Sequence, residues 1–420
     1  MSFDIALSGI QAINEALDQT SQNIANAGTY GYKSGRANFS ALVAGSQPEG
    51  TSIGSLSQNI GLSGGVLNTG RALDASINGR GFFITKTGSN EIEYTRVGIF
   101  DTSDNGYLID ATGRRVQGFA LTPPSTVLGA QGDIKIPQGQ IPAVASAKVG
   151  YVGNMSADWT VPTVTPFQAV GGGGVTPATP ADPLSYNMSQ SSVVYDTLGG
   201  QHTLTQYFSA TATPGVINVN YVLDGTDTGT PATPLAFSPA TGQLTSVGGV
   251  AVPPGSFSVP LPGGAPAPTT GATLNPIAVD YTGTTYFAGK ATTTVSTSDG
   301  YASGVFSNVE LAKDGSVVAK YSNGQSQTVA MIALATFPDE GALTAVSNTS
   351  WIASNGSGTA LTGTPGTGMA GTLNTSSLEQ SNVDITSELV GLMTSQRNYQ
   401  ANSKVIQTES TMLQALMQAI

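Results

Sequence analysis

The sequence predicts a mainly β protein with an α-helix at each terminus, and three observations lead to this prediction. The chain of 420 residues contains 53 Gly and 23 Pro but only 10% charged residues, a composition typical of many turns and short strands. Apolar residues recur at steps of three and four at both ends. Between the ends, alternating runs are bounded by Asn-Gly and Asp-Gly pairs. An apolar fraction of 39% suffices for two or three domains with buried cores.

The first element is an amphipathic helix over residues 3–27, which should end near Gly28 because glycine commonly follows the last helical turn. Asp4 in its first turn suits the helix dipole. Its small and apolar residues form one heptad row, which consists of Phe3, Ala6, Ile10, Ile13, Leu17, Thr20, Ile24 and Ala27.

The last element is a helix from Asp384 to Ile420, roughly 55 Å long at about 1.5 Å per residue. Its heptad row consists of Ile385, Leu389, Leu392, Gln396, Tyr399, Ser403, Ile406, Ser410, Leu413, Met417 and Ile420. Gln and Ser in this row make it too polar for a closed hydrophobic core. The two rows predict paired N- and C-terminal coiled-coil helices that also pair with neighbouring copies, with two unrelated surface helices as the alternative.

These rows define a predicted polymerisation interface, in which neither helix can bury its apolar row alone. Polar positions such as Thr20, Gln396 and Ser403 should weaken each contact. The predicted interface residues are Phe3, Ile10, Ile13, Leu17, Ile24, Leu389, Leu392, Gln396, Tyr399, Ser403, Ile406, Leu413 and Met417.

Between the helices the sequence predicts a discontinuous β domain and an inserted β domain. Turn pairs at Asn78-Gly79, Asn105-Gly106 and Asn323-Gly324 indicate hairpins in two separated blocks. Gly171 to Gly174 and frequent prolines mark the insert. The predicted bounds are 1–33 for the N-terminal helix, 34–70 for an extended connector (or a disordered loop), 71–149 and 294–377 for the two halves of the β domain, 150–293 for the inserted outer β domain, and 378–420 for the C-terminal helix.

The composition argues against most binding and catalytic classes. A net charge of −11 would repel nucleic acid. Zero cysteine excludes thiolate chemistry, and His202 as the single histidine excludes a histidine-rich metal site. We therefore predict no enzyme, no cofactor, no metal and no catalytic residue, although a carboxylate pair on the β body stays possible among 26 acidic residues.

The chain start has neither a basic nor an apolar region of the kind that forms a secretory signal, and no apolar run is long enough for a membrane span. We therefore expect no membrane insertion. Either the protein stays in the cytosol or it leaves by a route that uses no cleaved signal.

Several segments together resemble one family. Residues 22–33 (QNIANAGTYGYK) resemble the N-terminal motif of the flagellar axial proteins of bacteria, which are the rod, hook and hook-associated subunits, and residues 396–408 (QRNYQANSKVIQT) resemble their C-terminal motif. Residues 77–83 and 94–100 resemble the segments that open the β body in that family. Residues 193–204, 299–304 and 321–327 resemble the hook branch in particular.

The resemblance implies a structural subunit of a curved, flexible tube that acts as a universal joint and transmits motor torque to the filament. It implies self-association into a helical tube with the terminal helices inside, and partners among the rod, hook-cap and hook–filament junction proteins. It further implies export through the flagellar type III apparatus and an extracellular location in the flagellum. The alternatives are a distal rod or other axial protein, which lacks an insert of this size, and a secreted β-rich adhesin.

Overall fold

The computed structural model of the chain describes residues 2–44, 47–121, 127–168, 181–251, 256–259 and 272–419. Three parts of the sequence discussed above lie outside these residues. They are the glycine run Gly171 to Gly174, most of the proline-rich stretch 253–268, and Ile420. In the described part, the helices are α1 (Ser2–Ala25) and α2 (Ile385–Ala419), with two 3-10 turns at Pro183–Ser185 and Glu340–Ala342. The rest of the regular structure is β, so the predicted mainly β fold with helical termini is confirmed.

Most of the strands are short, in keeping with the turn-rich composition of the chain. In order they are β1 (Gly35–Ala44), β2 (Gln47–Gln58), β3 (Val66–Asn68), β4 (Ala75–Asn78), β5 (Phe82–Lys86), β6 (Ile92–Thr95), β7 (Phe100–Thr102), β8 (Leu108–Asp110), β9 (Arg115–Ala120), β10 (Gln131–Asp133), β11 (Lys148–Ser156), β12 (Met188–Tyr195), β13 (Gln201–Ala210), β14 (Val216–Leu223), β15 (Thr226–Asp227) and β16 (Thr233–Phe237). The list continues with β17 (Leu244–Val247), β18 (Val250–Ala251), β19 (Ser256–Val259), β20 (Ile277–Asp280), β21 (Thr285–Phe287), β22 (Thr292–Ser298), β23 (Phe306–Leu311), β24 (Ser316–Tyr321), β25 (Ser326–Ile332), β26 (Leu334–Thr336), β27 (Thr344–Val346), β28 (Ser350–Ile352), β29 (Leu361–Gly363), β30 (Thr372–Thr375) and β31 (Ser377–Glu379).

One compact unit combines three separated stretches of chain, 1–138, 307–320 and 326–420. Its main sheet has the strand order β23-β24-β25-β9-β5-β6-β28-β27. The core on this sheet is aromatic: Phe82 meets Trp351 edge to face at 5.5 Å, and Tyr94 meets Phe337 at 4.8 Å. Two small antiparallel pairs, β3 with β31 and β4 with β30, join the early part of the chain to the part that leads into α2.

The second unit comprises residues 139–306 and 321–325. It contains a five-stranded sheet with the order β19-β20-β11-β21 and a seven-stranded sheet with the order β12-β13-β14-β16-β17-β18. Alternate residues of β14 (Ile217, Val219 and Tyr221) point into a core that they share with Tyr151 and Val279 of the other sheet. This unit is therefore a two-sheet β sandwich.

Two local expectations differ from the structure. Residues 34–70 do not form a simple extended connector, because β1 and β2 pair as a long antiparallel hairpin in which short polar side chains bond across the strands, as in the pair Ser40 and Ser52 at 3.2 Å. The predicted hairpin at Asn78-Gly79 is wrong. Gly79 has the positive φ of a turn, at +102°, but β4 pairs with β30 and β5 pairs with β6.

Candidate functional site

The two terminal helices lie side by side in antiparallel orientation. Asn23 Nδ2 near the end of α1 donates a hydrogen bond of 2.9 Å to Glu388 Oε1 in the first turn of α2. Near the start of α1, a Cβ placed on Gly9 would lie 2.7 Å from Asn402 Nδ2. Gly9 therefore allows the close approach of the two helices at this point.

A different face of α1 packs on the β1–β2 hairpin. Ser8 Oγ accepts a hydrogen bond of 3.2 Å from the backbone N–H of Thr51. Gly50, with φ of +124°, lies against Ser8, and Gly35 lies against Gln19. The helix is consequently held between α2 and the hairpin.

A buried charge cluster holds the segment after α1 to the segment before α2. Glu379 Oε1 lies 2.6 Å from Lys33 Nζ, and Glu379 Oε2 lies 3.4 Å from Arg96 NH1. Lys33 also donates to the carbonyl oxygen of Leu62 at 2.7 Å, and Arg96 to that of Gly79 at 2.8 Å. We call Lys33, Arg96 and Glu379 the terminal charge cluster.

Burial changes the pKa values of the two cations in the terminal charge cluster. Loss of solvation lowers the pKa of Lys33 and that of Arg96 below their ordinary values, and the Glu379 carboxylate opposes both shifts. One carboxylate thus serves two buried cations. Such an arrangement is stable only while the carboxylate is present and hydrogen bonded.

Amide side chains complete this junction. Asn23 Oδ1 accepts from the backbone N–H of Gly35 at 2.8 Å, and Asn23 Nδ2 donates to the Gly35 carbonyl oxygen at 2.8 Å. Asn382 Oδ1 accepts from the N–H of Ser34 at 2.7 Å, while its Nδ2 donates to the carbonyl oxygen of Leu62 at 2.9 Å. Residues before α2 therefore fix the backbone that follows α1.

The heptad rows do not indicate these polar residues, although other signals existed. Asn23 and Lys33 lie within the family-like segment 22–33, and Arg96 lies within the segment 94–100. A charged residue inside such a segment is notable in a chain with only 10% charged residues. Glu379 lies 346 positions from Lys33 and 283 positions from Arg96, and Asn382 lies 348 positions from Ser34. No local pattern can reveal contacts over such distances.

The predicted interface residues have very different environments in the single chain. Ile13 is buried, and six others are half-buried, namely Ile10, Leu17, Ile24, Leu392, Ser403 and Ile406. The remaining six are exposed: Phe3, Leu389, Gln396, Tyr399, Leu413 and Met417, with Met417 at 76% and Leu413 at 57%. Apolar surface thus stays uncovered along both helices, and the role of these residues in polymerisation stays a prediction.

The covered face of α2 is rotated from the predicted row by about one residue. Its half-buried positions are Glu388, Leu392, Ser395, Asn402, Ser403, Ile406 and Glu409. Only Leu392, Ser403 and Ile406 belong to both sets. Because small and polar residues contact α1 here, the apolar pattern by itself does not identify the face that the chain covers internally.

His202, the single histidine, lies in β13 between two carboxylates. Its Nδ1 lies 2.6 Å from Asp224 Oδ2, and its Nε2 lies 3.3 Å from Asp196 Oδ2. Burial lowers the pKa of His202, but the two carboxylates outweigh it and hold the pKa above its ordinary value. Both ring nitrogens of His202 therefore have carboxylate partners within the sandwich unit.

The described residues contain neither a metal-binding cluster nor a membrane-spanning helix. No group of three or more histidine, aspartate or glutamate side chains in the ranges given above is arranged to hold a metal ion. Neither α1 nor α2, as far as the structure describes them, combines the length and the apolar content that a bilayer crossing requires.

Three family models match the chain, and all three describe flagellar hook or basal body proteins, so the chain belongs to the class of the flagellar axial proteins. The model "Flagellar hook protein FlgE/F/G D1 domain" matches residues 76–157. The model "Flagellar basal body protein FlaE D2 domain" matches residues 162–301. The model "Flagellar basal body rod FlgEFG protein C-terminal" matches residues 374–419.

Relatives that match over nearly the whole chain identify the hook proteins within this class. The flagellar hook protein FlgE of Escherichia coli K12 is 34% identical over 427 residues, covering 99% of each chain. That of Brucella suis is 32% identical over 417 residues, covering 98% of this chain and 96% of the relative. The crystal structure of Helicobacter pylori flagellar hook protein FlgE2 matches with a TM-score of 0.49 and 12% identity, over 75% of this chain and 99% of that one.

The chain belongs to the flagellar hook protein family. It is a structural subunit of the bacterial flagellar hook, and this function is favoured over the distal rod protein and the adhesin considered above.

Proposed function

We propose that this hook subunit polymerises through its terminal helices into a flexible, curved tube, a universal joint that transmits motor torque to the filament. In this proposal α1 and α2 pair as coiled-coil helices and form the inner wall. The observation that carries it is the antiparallel α1–α2 pair, which leaves Phe3, Leu389, Leu413 and Met417 exposed. Apolar side chains in such number on two helices gain stability when neighbouring copies cover them.

The proposal assigns each part of the chain a place in the tube. The helices 1–33 and 378–420 form the inner-tube domain, the halves 71–149 and 294–377 form the β domain around it, and the insert 150–293 forms an outer domain. The terminal charge cluster supports this layout, since it anchors the helix ends to the β unit.

We also propose the partners and the route that the family implies. The ends of the polymer contact the rod, hook-cap and hook–filament junction proteins, and the subunit leaves the cell through the flagellar type III apparatus. We infer no enzymatic role and no cofactor, because membership of a family of structural proteins supports mechanical function.

A truncation experiment tests the proposal. Intact protein and a fragment of residues 34–377 are compared by negative-stain electron microscopy at high salt, and intact monomer is subjected to limited proteolysis. We expect curved tubes from the intact chain only, and trimming of the monomer to a core near 34–377. A monomer that resists cleavage at both ends, or tubes from the fragment, would refute it.

A further inference from the structure

The terminal helices carry opposite charges on their outward faces. The ionisable residues of α1 are all acidic, and Glu15 and Asp18 among them are exposed. The basic residues of α2 are Arg397 and Lys404, and both are exposed. The acidic residues of α2, by contrast, are half-buried on the side that faces α1, where Glu388 accepts its hydrogen bond from Asn23.

Helical geometry assigns these charges to the faces that point away from the partner helix. Gly9 marks the side of α1 that meets α2, and Asp18 follows nine residues later, which is about two and a half turns and hence the opposite side. In α2, Glu388 marks the contact side, and Arg397 again follows nine residues later. Lys404 lies about two turns beyond Arg397 and shares its face.

These four outward charges form no ion pair within the part of the chain that the structure describes. The ion pairs that the structure describes join Glu379, Glu340, Asp110 and other β-unit or sandwich residues to their partners, and none of them includes Glu15, Asp18, Arg397 or Lys404. The α1–α2 pair therefore has one acidic edge and one basic edge.

The register of the pair places Arg397 of the basic edge close to the level of the acidic edge. The contacts Gly9–Asn402 and Asn23–Glu388 fix the antiparallel alignment, in which Arg397 is level with Asn14. Arg397 is thus one residue from the level of Glu15 and four from that of Asp18. At about 1.5 Å per residue, a second copy set beside the first needs an axial shift of no more than roughly 6 Å to bring its Arg397 opposite either carboxylate.

We propose that the acidic edge of α1 in one copy, Glu15 and Asp18, docks on the basic edge of α2 in a second copy, Arg397 and Lys404. This inference rests on the proposed function and specifies one of its contacts. A contact between two different surfaces of the same chain repeats from copy to copy, and it closes into a ring or continues as a helix. A helical tube is built by such a contact.

The charges select the register of the contact, and the apolar side chains beside them supply most of its strength. Exposed ion pairs are individually weak and are screened by salt. Complementary charges nevertheless steer the encounter and exclude wrong alignments. We therefore expect the effect of these four residues to be largest on assembly at low ionic strength.

A charge-exchange experiment tests the inference with full-length chains. One variant carries Glu15→Lys and Asp18→Lys, so that both of its edges are basic, and the other carries Arg397→Glu and Lys404→Glu, so that both are acidic. A control carries Glu91→Lys and Asp104→Lys, two exposed positions of the β unit. Assembly is followed by light scattering and electron microscopy at low and high salt.

We expect each reversed variant alone to assemble about ten-fold more slowly than the wild type at low salt, the control to assemble normally, and an equimolar mixture of the two reversed variants to recover. Recovery of the assembly rate in the mixture requires a contact between copies, because mixing does not restore opposite charges within either variant chain. The inference would be overturned if the mixture assembled no faster than either variant alone, or if the reversed variants assembled as fast as the wild type. The proposed function would still stand in both cases, provided that the wild type forms tubes. Absence of tubes from the wild type would overturn both.

Cross-linking gives a second readout in a chain that contains no cysteine. Asp18→Cys and Arg397→Cys chains are mixed, assembled and treated with a short bis-maleimide. Covalent dimers are expected from the mixture and not from either variant alone. Dimers absent from the mixture, in tubes that have formed, would contradict the proposed register.

Discussion

Glu379 Oε1 lies 2.6 Å from Lys33 Nζ although the two residues are 346 positions apart in the chain. Their side chains are 2% and 0% exposed, and Arg96 approaches the other carboxylate oxygen. The pair joins the strand before α2 to the segment after α1. This buried carboxylate is therefore one of the contacts that fix the helical termini on the β unit.

Replacing this carboxylate should be costly. Glu379→Gln removes the negative charge that Lys33 and Arg96 both contact while they stay buried, and removing one partner of a buried pair costs about 3–5 kcal/mol. The free energy of unfolding can be followed through Trp351, which is buried in this unit, in a Trp159→Phe background. The matched control is Asp133→Asn, whose partner Arg115 is half exposed, and it should change stability by no more than about 1 kcal/mol. Equal losses for the two substitutions would contradict the role of the terminal charge cluster.

The helices and several hairpins could be predicted from the sequence because their signals are local. A heptad row of apolar residues indicates a helix without reference to the rest of the chain. The bounds of both predicted helices agree with those of α1 and α2 within two residues at each end. The turn at Asn323-Gly324, which joins the antiparallel strands β24 and β25, is likewise indicated by local turn chemistry.

Pairings over long distances could not be predicted in this way. The turn pair Asn78-Gly79 correctly indicates the positive φ of Gly79, but it does not indicate which strand pairs with β4. The same limit applies to the candidate site. The row of α2 is visible in the sequence, but the face that α1 covers depends on Gly9 and on the hydrogen bond between Asn23 and Glu388.

The close approach at Gly9 leads to a second prediction. Gly9→Leu places a side chain against Asn402, and overpacking of this kind costs about 1–3 kcal/mol. Helix pairing should weaken roughly ten-fold or more, and tube formation measured by light scattering should decline with it. Gly391→Ala is the matched control, because no atom lies within 4 Å of a Cβ at that position. Alanine there should stabilise the helix by about 1 kcal/mol. Normal assembly of Gly9→Leu would show that the α1–α2 contact is not needed.

The environment of His202 predicts a pH dependence in the sandwich unit. The folded pKa of His202 is raised above 6.5 by Asp224 and Asp196 despite burial, so the folded state binds more protons than the unfolded state in this range. The stabilisation is complete below about pH 6.5 and is lost as the pH rises through the folded pKa. The stability of the sandwich unit as a function of pH is measured by calorimetry and by amide exchange in peptides that cover residues 196–204. His202→Gln should remove this component of the pH dependence, and an unchanged pH profile would refute the assignment.

The flexibility of the polymer gives the last prediction. Gln396 is exposed and Ser403 is half-buried in the single chain, so a neighbouring copy can cover either of them. Polar side chains at such positions keep each contact weak, whereas a leucine that becomes covered adds up to about 2 kcal/mol. Gln396→Leu and Ser403→Leu should therefore give stiffer or straighter tubes, because sliding between subunits has to break a stronger contact. Thr394→Leu, an exposed position outside the predicted row, is the control. Curvature and persistence length measured on electron micrographs decide the matter, and a bending stiffness unchanged from the wild type would count against the sliding mechanism while leaving the helical interface in place.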